Sequence, residues 1–201
     1  MLTLAPPYAS LLPPSAAEIK HGRVAMAAFV GFMVQANGIH WPWALTTSGI
    51  THAQISAAGS PPAQWDALPE ASKYQIILFI GFLEVFSEHS YILEAQGQKH
   101  YMRGGKPGFF PSLKKGYADS KWGFHPFPFD LYDPSNFNSN RTPEQKAKGL
   151  IAEVNNGRLA MIGIMGFLAE TCTPGSVPFG PHFPWTYSGE VMAPFASKIW
   201  L

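Results

Sequence analysis

Three stretches of the chain are markedly apolar, each broken by few polar side chains. Val24 to Val34 holds eleven residues without a strongly polar group. Tyr74 to Leu83 is interrupted only by Gln75, and Leu159 to Ala169 is uninterrupted. None matches the roughly 18 or more apolar residues of an ordinary membrane span. Each extends to about 20 residues only if a few polar groups are admitted, and an ionisable residue there costs about 2.5–3.5 kcal/mol on insertion scales.

Local signals set the limits of these elements. Ser15 with Glu18 forms a capping box, and Asn37-Gly38 and Trp41-Pro42 end the run, so the first helix is predicted over 15–37. Pro69 opens a second helix over 70–95, closed by Gly97. Thr142 and Pro143 read as N-cap and first helical position of a third, 142–172, stopped by Pro174-Gly175. Residues 38–70 are rich in Gly, Pro, Ser and Trp; Trp41, Trp43 and Trp65 suit the headgroup level of a bilayer. Residues 97–141 read as an ordered loop, and one short helix is expected near Gly189–Trp200. The lead 1–14 has no basic residue and two Pro pairs, so no removable signal helix is evident.

Basic residues sort with this pattern. None lies between Val24 and Ser72, whereas nine fall between Gln96 and Leu150: Lys99, Arg103, Lys106, Lys114, Lys115, Lys121, Arg141, Lys146 and Lys148. Either the middle segment is merely a solvated surface loop, or three spans place the N-terminus and 96–150 on one side and 38–70 and the C-terminus on the other. The expectation is an all-α membrane protein of one domain, 1–201, with three transmembrane helices and short interfacial helical pieces.

Composition narrows the alternatives. The chain is 46% hydrophobic and 13% charged, against about 25% charged in soluble domains, which excludes disorder and a coiled coil. Fourteen Lys and Arg against thirteen Asp and Glu leave +1, no field for gathering nucleic acid. A single cysteine, Cys172, excludes an intramolecular disulfide framework and a Cys-based zinc cluster.

The first and third helices repeat at an offset of 135 residues. Glu18-Ile-Lys-His21-Gly22-Arg23-Val-Ala25-Met26 pairs with Glu153-Val-Asn-Asn156-Gly157-Arg158-Leu-Ala160-Met161, and Gly31-Phe32 with Gly166-Phe167; seven positions are identical. Small residues repeat as well (Gly22, Ala25, Ala28, Gly31; Gly157, Ala160, Gly163, Gly166), which allows close helix approach. Five residues separate Glu18 from Arg23 and Glu153 from Arg158, about 140° around a helix, so each pair faces apart. Either the four charges sit at helix ends and reach water, or the helices cross and exchange partners as Glu18–Arg158 and Glu153–Arg23.

A carboxylate held by Arg keeps lone pairs, as do the carbonyl of Asn or Gln and one nitrogen of neutral His. Each can ligate a metal lacking an axial ligand, and magnesium in a chlorin ring is such a centre. Gln35 and Glu170 follow His21 and Asn156 by fourteen residues, about 21 Å along the axis and on nearly the same face. Taken singly, Asn156 and Gln35 are equally readable as helix–helix hydrogen bonders.

The two motifs, 18–26 and 153–161, closely resemble the signature helices of the light-harvesting chlorophyll-binding antenna family, over most of residues 15–175. The Lys-His-Gly-Arg-Val wording and the segment Gln75–Glu88 resemble the chlorophyll a/c branch of red-lineage plastids, which includes the fucoxanthin–chlorophyll proteins. The resemblance implies crossed first and third helices bound by exchanged Glu–Arg pairs. It implies chlorophyll a, chlorophyll c and a carotenoid (fucoxanthin, peridinin or similar), in a thylakoid protein passing excitation to a photosystem beside other antenna subunits and lipids. It carries axial-ligand roles to Glu18, His21, Glu153, Asn156 and Glu84, and charge-partner roles to Arg23 and Arg158. Gln75 is a further ligand position, although it lies nine residues from Glu84 where green members use eight. Glu170 stands where many members have Gln; it binds protonated, binds weakly or faces lumenal water. His40, His52, His89 and His182 are lesser candidates, since interfacial histidines are usually solvated. The aromatic loop 107–132 contacts pigments or a neighbour, or lies on the membrane surface.

Two rival readings are a photoprotective quencher, for which Glu70, Asp66 and Glu190 form no clear cluster, and an ion-conducting membrane protein. No nucleophile–base constellation or phosphate loop supports an enzyme.

Overall fold

The structure, a computed structural model, describes residues 15–114, 130–135, 140–178, 183–191 and 193–195. The Pro-rich lead, His182, residues 115–129 of the aromatic loop and half of the expected tail helix lie outside them. No helix forms within 189–191 or 193–195.

The long first helix, α1 (Ala16–Ala36), begins where Ser15 Oγ accepts the Glu18 N–H at 3.1 Å. It ends in a Schellman turn: the Gly38 N–H bonds the Gln35 carbonyl and the Ile39 N–H bonds the Val34 carbonyl, both at 3.1 Å. Gly38 supplies the positive φ of 66° that this turn needs. Two short helices follow in the segment expected to be loop. α2 (His52–Ser56) carries a reciprocal capping box between Thr51 and Gln54, and α3 (Pro61–Asp66) is capped by Ser60 with proline in its first turn.

The second long element is not the single helix 70–95 that the apolar pattern predicts. α4 (Glu70–Glu88) stops, His89 adopts an extended conformation (φ −66°, ψ 121°), and α5 (Ser90–Ala95) starts again. The break turns Ile92 and Leu93 into buried positions. A 3₁₀ turn spans Tyr101–Arg103. α6 (Pro143–Cys172) is capped by Thr142 and Gln145 in a second reciprocal box, at 3.0 and 3.3 Å. Among the described residues no strand forms; one isolated bridge joins Ala44 and Thr51.

The chain divides into two compact units, 1–23 with 87–157 and 24–86 with 158–201. In the first, Ile19, Ile92, Leu93 and Leu113 form the buried apolar centre. In the second, Phe29 and Phe32 of α1 stack on Phe167 of α6 at 4.8 and 5.1 Å between ring centroids. Phe183 extends the cluster to Trp185. A Cβ built on Gly163 would lie 2.9 Å from the Phe29 ring, so glycine there admits the ring.

The tail of the second unit is tied down by Tyr187. Its N–H donates to the Thr171 carbonyl at 2.9 Å and its hydroxyl to Asp66 Oδ2 at 2.6 Å. Burial first, and then the Asp66 carboxylate, push the Tyr187 hydroxyl up to about 12. The neutral phenol is therefore favoured by folding. Its stabilisation is complete below pH ~10, the ordinary tyrosine value, and is lost as the pH rises toward the folded-state value. Thermal melts between pH 9 and 12 are expected to show the wild type losing more stability than Tyr187→Phe; parallel losses would contradict the role of this bond.

Among the described residues no helix is long and apolar enough to cross a membrane. The reason lies in the polar groups already evident in the sequence: α1 carries Glu18, Lys20, His21 and Arg23 in its first half, and α6 carries Glu144, Lys146, Lys148, Glu153 and Arg158 before its apolar run. The expected three spans thus have no support from hydropathy alone.

Candidate functional site

The first unit brings the two motif helices into contact. Gly22 and Gly157 meet backbone to backbone: a Cβ added to Gly22 would lie 3.0 Å from Gly157 Cα, and one added to Gly157 would lie 2.8 Å from Gly22 Cα. Only glycine on both sides permits this approach. One residue on, Arg23 Nε donates to Glu153 Oε1 at 2.5 Å. The two side chains are 32% and 25% exposed, so the pair is largely withdrawn from solvent. Arg23 Nη1 donates to the Gly108 carbonyl at 2.8 Å, and the guanidinium lies 5.9 Å from the Tyr132 ring centroid. One of the two exchanged pairs expected from the repeat is therefore formed. Glu18 lies in the first unit and Arg158 in the second.

His21 is exposed on α1, and its Nδ1 lies 2.7 Å from the Ala17 carbonyl. A carbonyl can only accept, so Nδ1 carries the proton and Nε2 of the neutral ring keeps its lone pair. Metal-ligating histidines are commonly oriented in this way. Asn156 is exposed on α6. Both side chains thus stand on outer helix surfaces, close in sequence to the buried glycine contact.

Sequence reasoning missed a second charged group in this unit. Lys20 Nζ donates to Glu88 Oε1 at 2.5 Å, and His100 Nε2 lies 3.8 Å from Glu88 Oε2. Glu88, His100, Lys99 and Arg103 border a cleft of about 490 Å³. Sixty-eight residues separate Lys20 from Glu88, so no local pattern announced the pair. The Gly108 carbonyl was also missed, as a backbone acceptor has no sequence signal.

In the second unit, Gln75 and Glu84 are exposed on α4, Arg158 on α6 and Gln35 near the end of α1. Glu170 differs from all of them, being only 2% exposed. Its Oε1 accepts the Gly175 N–H at 2.9 Å and its Oε2 the Val177 N–H at 3.1 Å. Of the three situations considered for Glu170, facing lumenal water is corrected: the turn that ends α6 folds back over its carboxylate.

Among the described residues no three His, Cys, Asp or Glu side chains converge to hold a bare ion.

Residues 13–172 match the family described as chlorophyll A-B binding protein. The chain belongs to that family. Among its relatives is a fucoxanthin-chlorophyll a-c binding protein, chloroplastic, of Trieres chinensis. It is 30% identical over 161 residues, 80% of this chain and 66% of the relative. Fucoxanthin-chlorophyll a-c binding protein F of Phaeodactylum tricornutum is 32% identical over 153 residues, 76% of this chain and 61% of the relative. The protein of the same name from Macrocystis pyrifera is 32% identical over 155 residues, 76% of this chain and 58% of the relative. The matched segment therefore spans somewhat under two thirds of each relative. The family match, residues 13–172, includes both motif helices.

Proposed function

We propose that the chain is a light-harvesting antenna subunit that binds chlorophyll a, chlorophyll c and a carotenoid and passes excitation to a photosystem. The observation that carries this reading is the His21 ring, its Nδ1 proton tied to Ala17 and its Nε2 lone pair left outward, two residues from the Arg23–Glu153 pair. That is a pre-oriented axial donor on a fixed scaffold. Family membership and the names of the relatives support the same reading.

His21, Asn156, Glu18, Glu153 and Glu84 would supply axial donors to chlorophyll magnesium, with Gln75, Gln35 and Glu170 as further positions. Arg23 neutralises Glu153, and Arg158 is the matching charge of the duplicated motif. Bound chlorophyll supplies the light absorption; the chain contributes donors, apolar contact and rigidity, and has no catalytic step of its own.

The site of action proposed is the plastid thylakoid membrane, with residues 1–201 acting as one antenna domain beside lipids, other antenna subunits and a photosystem core. Val24, Val30, Leu78, Val85, Leu159 and Ile162 are each more than 60% exposed on the helices. Unpartnered apolar surface of that extent is costly in water and suits lipid or pigment. The N-terminus and the 96–150 loop are assigned to the stromal side, and the 38–70 loop and the C-terminus to the lumen.

Fluorescence excitation of the purified, pigmented chain tests the reading. Carotenoid absorption is expected to appear as a band in the excitation spectrum of chlorophyll a emission. A missing carotenoid band, or a lifetime that shortens strongly on acidification, would favour the quenching role instead.

A further inference from the structure

The segment after α1 encloses a groove of about 580 Å³ in the second unit. Val34, Ile39, Leu45, Ile55 and Trp65 make it chiefly apolar. Two polar side chains in its lining matter here, one exposed and one buried.

The first is His40. Its Nδ1 lies 3.1 Å from the Trp41 carbonyl. The carbonyl accepts, so the proton is on Nδ1 and Nε2 of the neutral imidazole keeps its lone pair. His21 is oriented by a backbone carbonyl in the same way. The second is Gln64, 4% exposed. Its Nε2 donates to the Gln35 carbonyl at 3.2 Å and the Gly59 carbonyl at 2.8 Å, which identifies the other amide atom as oxygen. That oxygen, Oε1, is buried without a hydrogen-bond partner among the described residues, which is costly if nothing fills it.

We propose that this groove is a chlorophyll site outside the duplicated motifs, with His40 Nε2 as axial donor to the magnesium and the Gln64 amide oxygen accepting from a water held with the pigment. The inference rests on the antenna reading. A single imidazole lone pair beside apolar walls fits a large apolar ring that brings its own metal, whereas a bare ion would find too few ligands. Gln35, named above as a further axial position, lines the same groove, so it and His40 compete for one chlorophyll. The neutral imidazole is the stronger donor to magnesium.

The test refolds the full chain with a chlorophyll a, chlorophyll c and carotenoid extract and counts pigments per chain by chromatography. His40→Leu is expected to bind one chlorophyll fewer than the wild type and to show a matching loss in the visible circular dichroism. His40→Gly is expected to lose the same chlorophyll and to regain it with added imidazole, a rescue that a merely structural role would not show. Unchanged stoichiometry in His40→Leu, or no recovery with imidazole, would overturn the assignment. Loss of that same chlorophyll in Gln35→Leu with His40 intact would also overturn it. A wild-type chain that binds no chlorophyll at all would overturn the antenna reading, and this site with it.

Discussion

Arg23→Leu is expected to lower the stability of the pigmented chain by about 3 kcal/mol, the lower end for a broken buried ion pair because both side chains keep some exposure. For a chain of this size that corresponds to a fall of roughly 6–12 °C in the thermal midpoint. Three interactions go at once: the Glu153 bond at 2.5 Å, the Gly108 carbonyl bond at 2.8 Å and the contact with the Tyr132 ring. Glu153 is then left charged and mostly withdrawn from water. Glu153→Leu should be milder, since Arg23 keeps Gly108 and Tyr132. The double variant Arg23→Leu with Glu153→Leu should recover part of the loss, because no uncompensated charge remains. Melting followed by visible circular dichroism checks all three. A midpoint within roughly 2 °C of wild type for Arg23→Leu would show that the pair holds nothing together.

Gly157→Val and Gly22→Val are expected to be at least as damaging. The added Cβ would meet the opposite glycine's backbone at 2.8 and 3.0 Å, and backbone cannot rotate aside as a side-chain tip can. The helices must separate locally. Overpacking of this kind costs about 1–3 kcal/mol by itself. The separation also pulls on Arg23, next to Gly22, and so on its bond to Glu153. Both effects should appear as a lower yield of pigmented protein and an earlier melt. Gly31→Ala supplies the contrast, since its Cβ meets nothing within 4 Å; that variant should leave the contact between the helices intact. Equal tolerance at Gly22, Gly157 and Gly31 would contradict the close approach.

The limits of α1 and α6 were legible to within a residue because caps and stops are local chemistry: Ser15, Thr142, Pro143 and the Asn37-Gly38 turn act within a few positions. The duplicated motif made Arg23–Glu153 legible too, although the residues are 130 apart, since the repeat supplied the pairing that spacing alone could not. The break at His89 was not legible. No glycine or proline marks it, and the apolar pattern continues through Tyr91-Ile92-Leu93; burial of Ile92 and Leu93 decides the turn. The signals for α2 and α3 were present in Thr51-x-x-Gln54 and Ser60-Pro61, but the surrounding Gly, Pro and Ser outweighed them. Glu170 needed the structure, because its partners are backbone N–H groups that close on it only after Pro174-Gly175 reverses the chain.

Pigment analysis of the chain isolated in mild detergent tests the antenna assignment most directly, with His21→Leu measured alongside. The wild type is expected to elute coloured, with chlorophyll a, chlorophyll c and a carotenoid in fixed ratio to protein, and His21→Leu with one chlorophyll fewer. A colourless wild-type protein, folded by its far-ultraviolet circular dichroism, would contradict the assignment.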